Sequence, residues 1–127
     1  RETLPGREKA IRKAKMNIIK VYRGCGSWEC NCGGTHSIPC KVRAKCGSAV
    51  VELIPAPKGT GLAIEKEAGK LLALAGIKDI YSRTYGQTRT KLNHLKAVFE
   101  ALKSLAQQKG ITPKAKAEEI IVAEPTP

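Results

Sequence analysis

Aspartate and aromatic residues are nearly missing from this 127-residue chain, which has one Asp, one Phe, one Trp and three Tyr. The raw material for paired-carboxylate acid–base catalysis is therefore poor, and no Ser/His/Asp set or activated nucleophile is visible. No catalytic residue is assigned, and no small-molecule substrate is expected. With so few rings, a core must rest on Leu, Ile, Val and Ala. No stretch approaches the roughly 20 apolar residues of a spanning helix, and no secretory leader is legible. The chain opens on Arg1 rather than Met, which suggests a missing upstream portion.

Negative charge is also scarce: 11 Asp+Glu stand against 23 Lys+Arg, a formal +12. Most of the excess sits in residues 1–23 and 77–109, flanking a nearly neutral middle. Two cationic blocks on a small chain favour a polyanionic partner bound through counterion release, with RNA ahead of membrane. The five cysteines are an odd number, four of them between positions 25 and 40. Such clustering suits metal binding or buried thiols in a reducing compartment better than a disulfide scaffold.

Along the chain, residues 7–16 read as a helix and 17–23 as extended, together a short unit that cannot form a domain alone. Residues 24–37 are a Gly/Cys-rich loop. From Ile38 to Cys46 apolar and basic residues alternate, with Lys41, Arg43 and Lys45 outward. A Gly47-Ser48 turn and a second strand, 49–54, complete a hairpin. The PAPKGTG segment, 55–61, is a rigid corner. A short strand at 62–64, a helix at 65–75, a strand at 77–85 and a helix from Thr90 to about Gln108 follow. The last helix carries an expected inner stripe of Leu92, Leu95, Phe99, Leu102 and Ala106. His94 is expected at its surface. Residues 110–127, rich in Ala, Lys, Glu and Pro, are expected to form a disordered tail. The fold class is α+β, a two-layer sandwich with a three- to four-stranded sheet and two helices on one face.

Three groups carry chemistry. Cys25, Cys30, Cys32 and His36, spaced C-x4-C-x-C-x3-H, are a complete donor set for tetrahedral structural zinc. Cys40 is an alternative fourth ligand, but its alternation places it with Cys46 as a core thiol. Trp28 is expected to cover the metal, or to stack on a base. The corner Lys58-Gly59-Thr60-Gly61 lacks the order of a nucleotide-binding loop and suits close approach of an RNA backbone. Arg83, Gln87, Thr88, Arg89, Lys91 and Asn93 join basic, amide and hydroxyl groups at a strand-to-helix junction suited to phosphates.

The stretches IPCKVRAKCGSAVVELIPAPKGTGLA and AGIKDIYSRTYGQTRTKLNHLKAVFEAL resemble the C-terminal domain of the small-subunit ribosomal protein five family. The likeness covers roughly residues 9–105, and the Cys-rich loop resembles archaeal members. It implies a sheet with two helices and a left-handed β-α-β crossover. Residues 1–23 would be the remnant helix and linker of an N-terminal double-stranded-RNA-binding-like domain. Residues 24–37 would be a zinc loop, 38–109 the C-terminal domain and 110–127 the tail. The resemblance further implies a cytoplasmic structural component of the small subunit, holding ribosomal RNA beside ribosomal proteins four and eight. It would lie near the path by which messenger RNA enters and would support decoding accuracy. Carried onto this chain, the RNA-binding residues are the linker set Lys13, Lys15, Lys20 and Arg23, the corner at Lys58–Gly61, and the junction from Arg83 to Asn93. Two other readings are a free zinc-dependent RNA-binding module and an enzyme of the small-molecule kinases that share this fold.

Overall fold

The computed structural model describes residues 3–107 and the backbone of Ile120–Ala123. In chain order the elements are α1 (Thr3–Met16), β1 (Ile18–Val21), β2 (Val42–Cys46), β3 (Ala49–Pro55), β4 (Leu62–Ala63), α2 (Lys66–Leu74), β5 (Ile80–Tyr85), α3 (Lys91–Gln107) and β6 (Ile120–Ala123). β2–β5 form one sheet in the order β2-β3-β5-β4. The first two pairs are antiparallel, whereas β4 and β5 run parallel through the α2 crossover. The expected α+β layout is present, with a four-stranded mixed sheet and packed helices.

Alternation decides which face is covered. Val42 on β2, Ala49, Val51 and Leu53 on β3, and Ile80 on β5 are buried, as are Ala68 and Leu72 on α2. α3 buries His94, Ala97, Val98, Phe99, Ala101, Leu102 and Leu105. These join one aliphatic core with Ile38 and Ile77. Burying a Leu or Ile side chain contributes roughly 1.5–3 kcal/mol, so α3 is the element that holds the sheet. Its stripe is rotated from the expected one. Leu92 and Ala106 are exposed, and His94 leads the buried face. An apolar-only count cannot find a stripe headed by histidine.

Two glycine-bearing turns meet at one end of the sheet. Gly86 has φ 80°, and a β-carbon there would collide with the Ser48 carbonyl oxygen in the β2–β3 turn. Gly47, at φ 60°, faces the Asn93 side-chain amide. Gly86→Val combines a left-handed backbone with a clash against backbone. It is expected to destabilise the chain by about 2–4 kcal/mol, read as a lowered urea midpoint at unchanged slope. An unchanged midpoint would show that the two turns do not need this contact.

α1 begins four residues before the expected start, with Pro5 in its first turn, where its missing N–H costs little. None of its residues is buried. The expected tail is corrected in one place: Ile120–Ala123 pair antiparallel with Val21–Ile18 of β1. The run Ile-Ile-Val is strongly strand-forming, a signal diluted by the tail's average composition. The rest of that tail lies outside the described residues.

Candidate metal centre and nucleic-acid interface

The cysteine loop is closed at its neck before any metal is considered. Gly24 and Ser37 exchange both backbone hydrogen bonds, at 2.9 and 3.0 Å, and the Gly26 amide donates to the Ile38 carbonyl. A side chain at Gly26 would strike the Pro39 carbonyl, so that position must be small. Within the closed loop, the ligand atoms of Cys25, Cys30, Cys32 and His36 all lie within 4.8 Å of one another. His36 Nε2 stands 3.2 Å from Cys25 Sγ, 3.1 Å from Cys32 Sγ and 3.6 Å from Cys30 Sγ. A tetrahedral zinc with ordinary bond lengths separates a nitrogen and a sulfur ligand by about 3.6 Å. The donor chemistry and spacing therefore fit one small, thiophilic cation.

The thiols disturb one another. Cys25 is pushed up to about 12, mainly by burial and then by the Cys32 and Cys30 side chains. Cys30 is drawn down to about 6 by hydrogen bonds from the Cys32 side chain and backbone, and then from the Lys58 backbone. One sulfur thus favours the thiolate while its neighbour keeps its proton. A bound cation would displace the remaining protons. Cys40 is not a member of the four-residue group; it and Cys46 pack against the core. The expected role of Trp28 as a cover is corrected, because its ring is 90 % exposed.

The largest addition to the sequence reading is Asp79. His36 Nδ1 lies 2.8 Å from Asp79 Oδ2, and both side chains are buried. The other oxygen, Oδ1, accepts the amides of Gly59 at 3.1 Å and Gly61 at 2.9 Å. Burial pushes this carboxyl up, but the Gly61 amide, His36 and the Gly59 amide outweigh it and hold the group below the usual range. The amides of Lys78 and Asp79 also donate to the His36 carbonyl. One carboxylate therefore orients the imidazole with Nε2 toward the thiols and fastens the 57–61 corner. Carboxylate–histidine pairs of this kind set the tautomer of a metal ligand.

The proposed RNA contacts fall in separate places. Lys13, Lys15 and Lys20 are exposed, but Arg23 donates to the Gly76 carbonyl at 3.1 Å and helps close the end of α2. Lys58 is exposed at the corner. The Gly59 and Gly61 amides are spent on Asp79, and the Thr60 hydroxyl is spent on the Pro57 carbonyl. Both glycines have positive φ, and space lies open where a side chain would stand. An approaching chain would therefore meet bare backbone flanked by Lys58. Arg83, Gln87, Arg89 and Lys91 are exposed and Thr88 is half-buried, whereas Asn93 leans on the β2–β3 turn. The corner adjoins the start of β5 and the junction follows its end, so the two are separated by about 17–20 Å of strand. His94 also departs from expectation: it is 1 % exposed, with Nδ1 2.6 Å from Glu65 Oε2.

Residues 44–116 match the family model described as ribosomal protein S5, C-terminal domain. Relatives named small ribosomal subunit protein uS5 are similar over most of the chain. The Nanoarchaeum equitans protein is 58% identical over 83% of this chain, and that of Thermofilum pendens 62% over 79%. The Methanocaldococcus jannaschii protein is 57% identical over 83%. The chain spans about half the length of these relatives: 46%, 50% and 48% respectively. The chain belongs to the ribosomal protein S5 family, and these similar members are archaeal.

Proposed function

We propose that this chain is a structural, non-catalytic part of the small ribosomal subunit, holding ribosomal RNA through two cationic loops on a metal-fastened scaffold. The observation that carries this reading is the family match together with the Asp79 bridge. A loop that exposes Lys58 and bare glycine backbone is pinned from behind by the residue that orients His36. Such rigidity suits positioning on folded RNA, where phosphate contacts set register. The metal is zinc, held by Cys25, Cys30, Cys32 and His36, and it supplies folding energy rather than an open coordination site. In the cytoplasmic ribosome the domain lies beside small-subunit RNA and ribosomal proteins four and eight, near incoming messenger RNA. α1 and β1 belong to the unit that precedes the domain in the family, and Lys13, Lys15 and Lys20 add phosphate contacts there.

The test is salt-dependent binding to small-subunit RNA. Replacing Arg83, Arg89 and Lys91 together by Ala is expected to weaken binding to all sequences alike. The slope of log affinity against log salt should flatten by roughly three, about one per phosphate contact. Unchanged affinity and slope would remove the junction from the interface. Failure of the intact chain to sediment with small subunits would overturn the ribosomal reading.

A further inference from the structure

A second concave surface lies away from the metal centre. β4 stops at Ala63 while β5 continues to Tyr85, and a cleft of about 490 Å³ opens where the strands part. Its lining includes Ile64, Glu65, Ser82, Thr84, Arg89 and His94. The Ser82 hydroxyl donates to the Ala63 carbonyl at 2.7 Å and holds the mouth. His94, almost wholly buried, presents an imidazole with neither ring nitrogen in an aligned hydrogen bond. Its Nδ1 lies 2.6 Å from Glu65 Oε2, and among the described residues Nε2 has no hydrogen-bond partner. Buried polar atoms without partners are rare, and a ligand or water commonly supplies what is missing.

The lining mixes two kinds of chemistry. Arg89 stands just before α3, and the first amides of a helix have no partner within it; together these suit a phosphate. Glu65, His94 and Thr84 also line the cleft. A simple anion would use Arg89 and be repelled by Glu65. A nucleotide would use both. An ionised carboxylate offers two acceptors side by side and no donor, and guanine is the base whose pairing edge presents two adjacent donors, N1–H and the N2 amino group. The volume lies within the range of about 300–1,000 Å³ usual for small-ligand pockets.

We propose that this cleft takes up one unstacked guanine nucleotide of an RNA strand, with its phosphate on Arg89 and its pairing edge on Glu65, beside His94. Single-stranded bases splayed from RNA are commonly read along this edge. The proposal rests on the RNA-binding reading and narrows it to one site. The test is a titration of the isotopically labelled, metal-loaded full chain with the four ribonucleoside 5′-monophosphates and with inorganic phosphate, followed by amide and imidazole NMR shifts. The expected result is saturable movement at Glu65, Thr84, Arg89 and the His94 ring, tightest for the guanine nucleotide. Glu65→Gln should weaken that nucleotide about tenfold, while leaving the binding of inorganic phosphate, which does not use Glu65, within about twofold of the parent. Absence of saturable shifts with every nucleotide would sink the pocket. So would the same shifts with phosphate alone, which would mean an anion site only. If the cleft ignores nucleotides while the intact chain still binds small-subunit RNA, only the pocket falls. If the chain binds no RNA at all, the broader reading falls with it.

Discussion

Stripping the metal with a chelator is expected to open residues 24–37 and to lower the melting temperature by roughly 15–30 °C for a domain of this size. The magnitude follows from linkage: a ligand present at a thousandfold over its dissociation constant stabilises the folded state by about 4 kcal/mol. The aliphatic core built on α3 should survive, because Leu102, Leu105, Val51 and Leu53 do not depend on the loop. The loop is otherwise held at its two ends, by the neck and by the hydrogen bonds of His36 with Lys78 and Asp79. Beyond the Gly24–Ser37 neck, its apolar content is a single exposed Trp28. Elemental analysis should find about one zinc per chain, and Cys32→Ser should lose it. A metal-free preparation that melts where the loaded one does would end the structural-zinc reading.

Asp79→Ala is expected to cost about 3–5 kcal/mol, because it leaves a buried partner and donors uncompensated. Three groups lose their acceptor at once: His36 Nδ1, at 2.8 Å, and the amides of Gly59 and Gly61. Metal affinity should fall by about 10–100-fold, as for other outer-shell partners. Asp79→Asn separates the two effects. Its remaining oxygen can still accept the glycine amides, but its amide nitrogen would face Nδ1 and favour the tautomer with the proton on Nε2, the atom that faces the thiols. The Asn variant should therefore keep most of the stability while losing metal affinity. Competition against a chromophoric chelator, beside thermal melts, reads both quantities. If the Ala variant held zinc as tightly as the parent, Asp79 would be a loop fastener only.

What the sequence revealed about this site depended on whether the signal was local. The β2–β3 hairpin was legible because Val42, Ala44 and Cys46 alternate with Arg43 and Lys45 over a single strand. The Cys25, Cys30, Cys32 and His36 group, which could hold a metal ion, was legible because its members lie in one loop rich in glycine. Asp79 was not, since it meets His36 across 43 positions, and no spacing rule links them. Its one sequence signal was its rarity, a single aspartate in a basic chain. Glu65 and His94 were hidden for a related reason. A helix-start glutamate reads as a favourable dipole partner, and a histidine near a helix start reads as surface. Their pairing exists only once α2 and α3 pack together. Trp28 misled in the other direction: an aromatic beside thiols suggests a cover, but its ring points into solvent.

The distance between His36 and Asp79 along the chain also orders events during synthesis. The loop that gathers the sulfurs emerges early, whereas its fastener follows only after the corner and the whole of α2 have been made. Until then the imidazole would lack its carboxylate partner, so a cation captured by the young polypeptide would sit in a half-finished cage. Arrival of Asp79 locks the ring and the glycine corner together. Completion of the Cys25, Cys30, Cys32 and His36 group and fastening of the Lys58–Gly61 corner would therefore be a single late step, and a chain halted before position 79 would have neither.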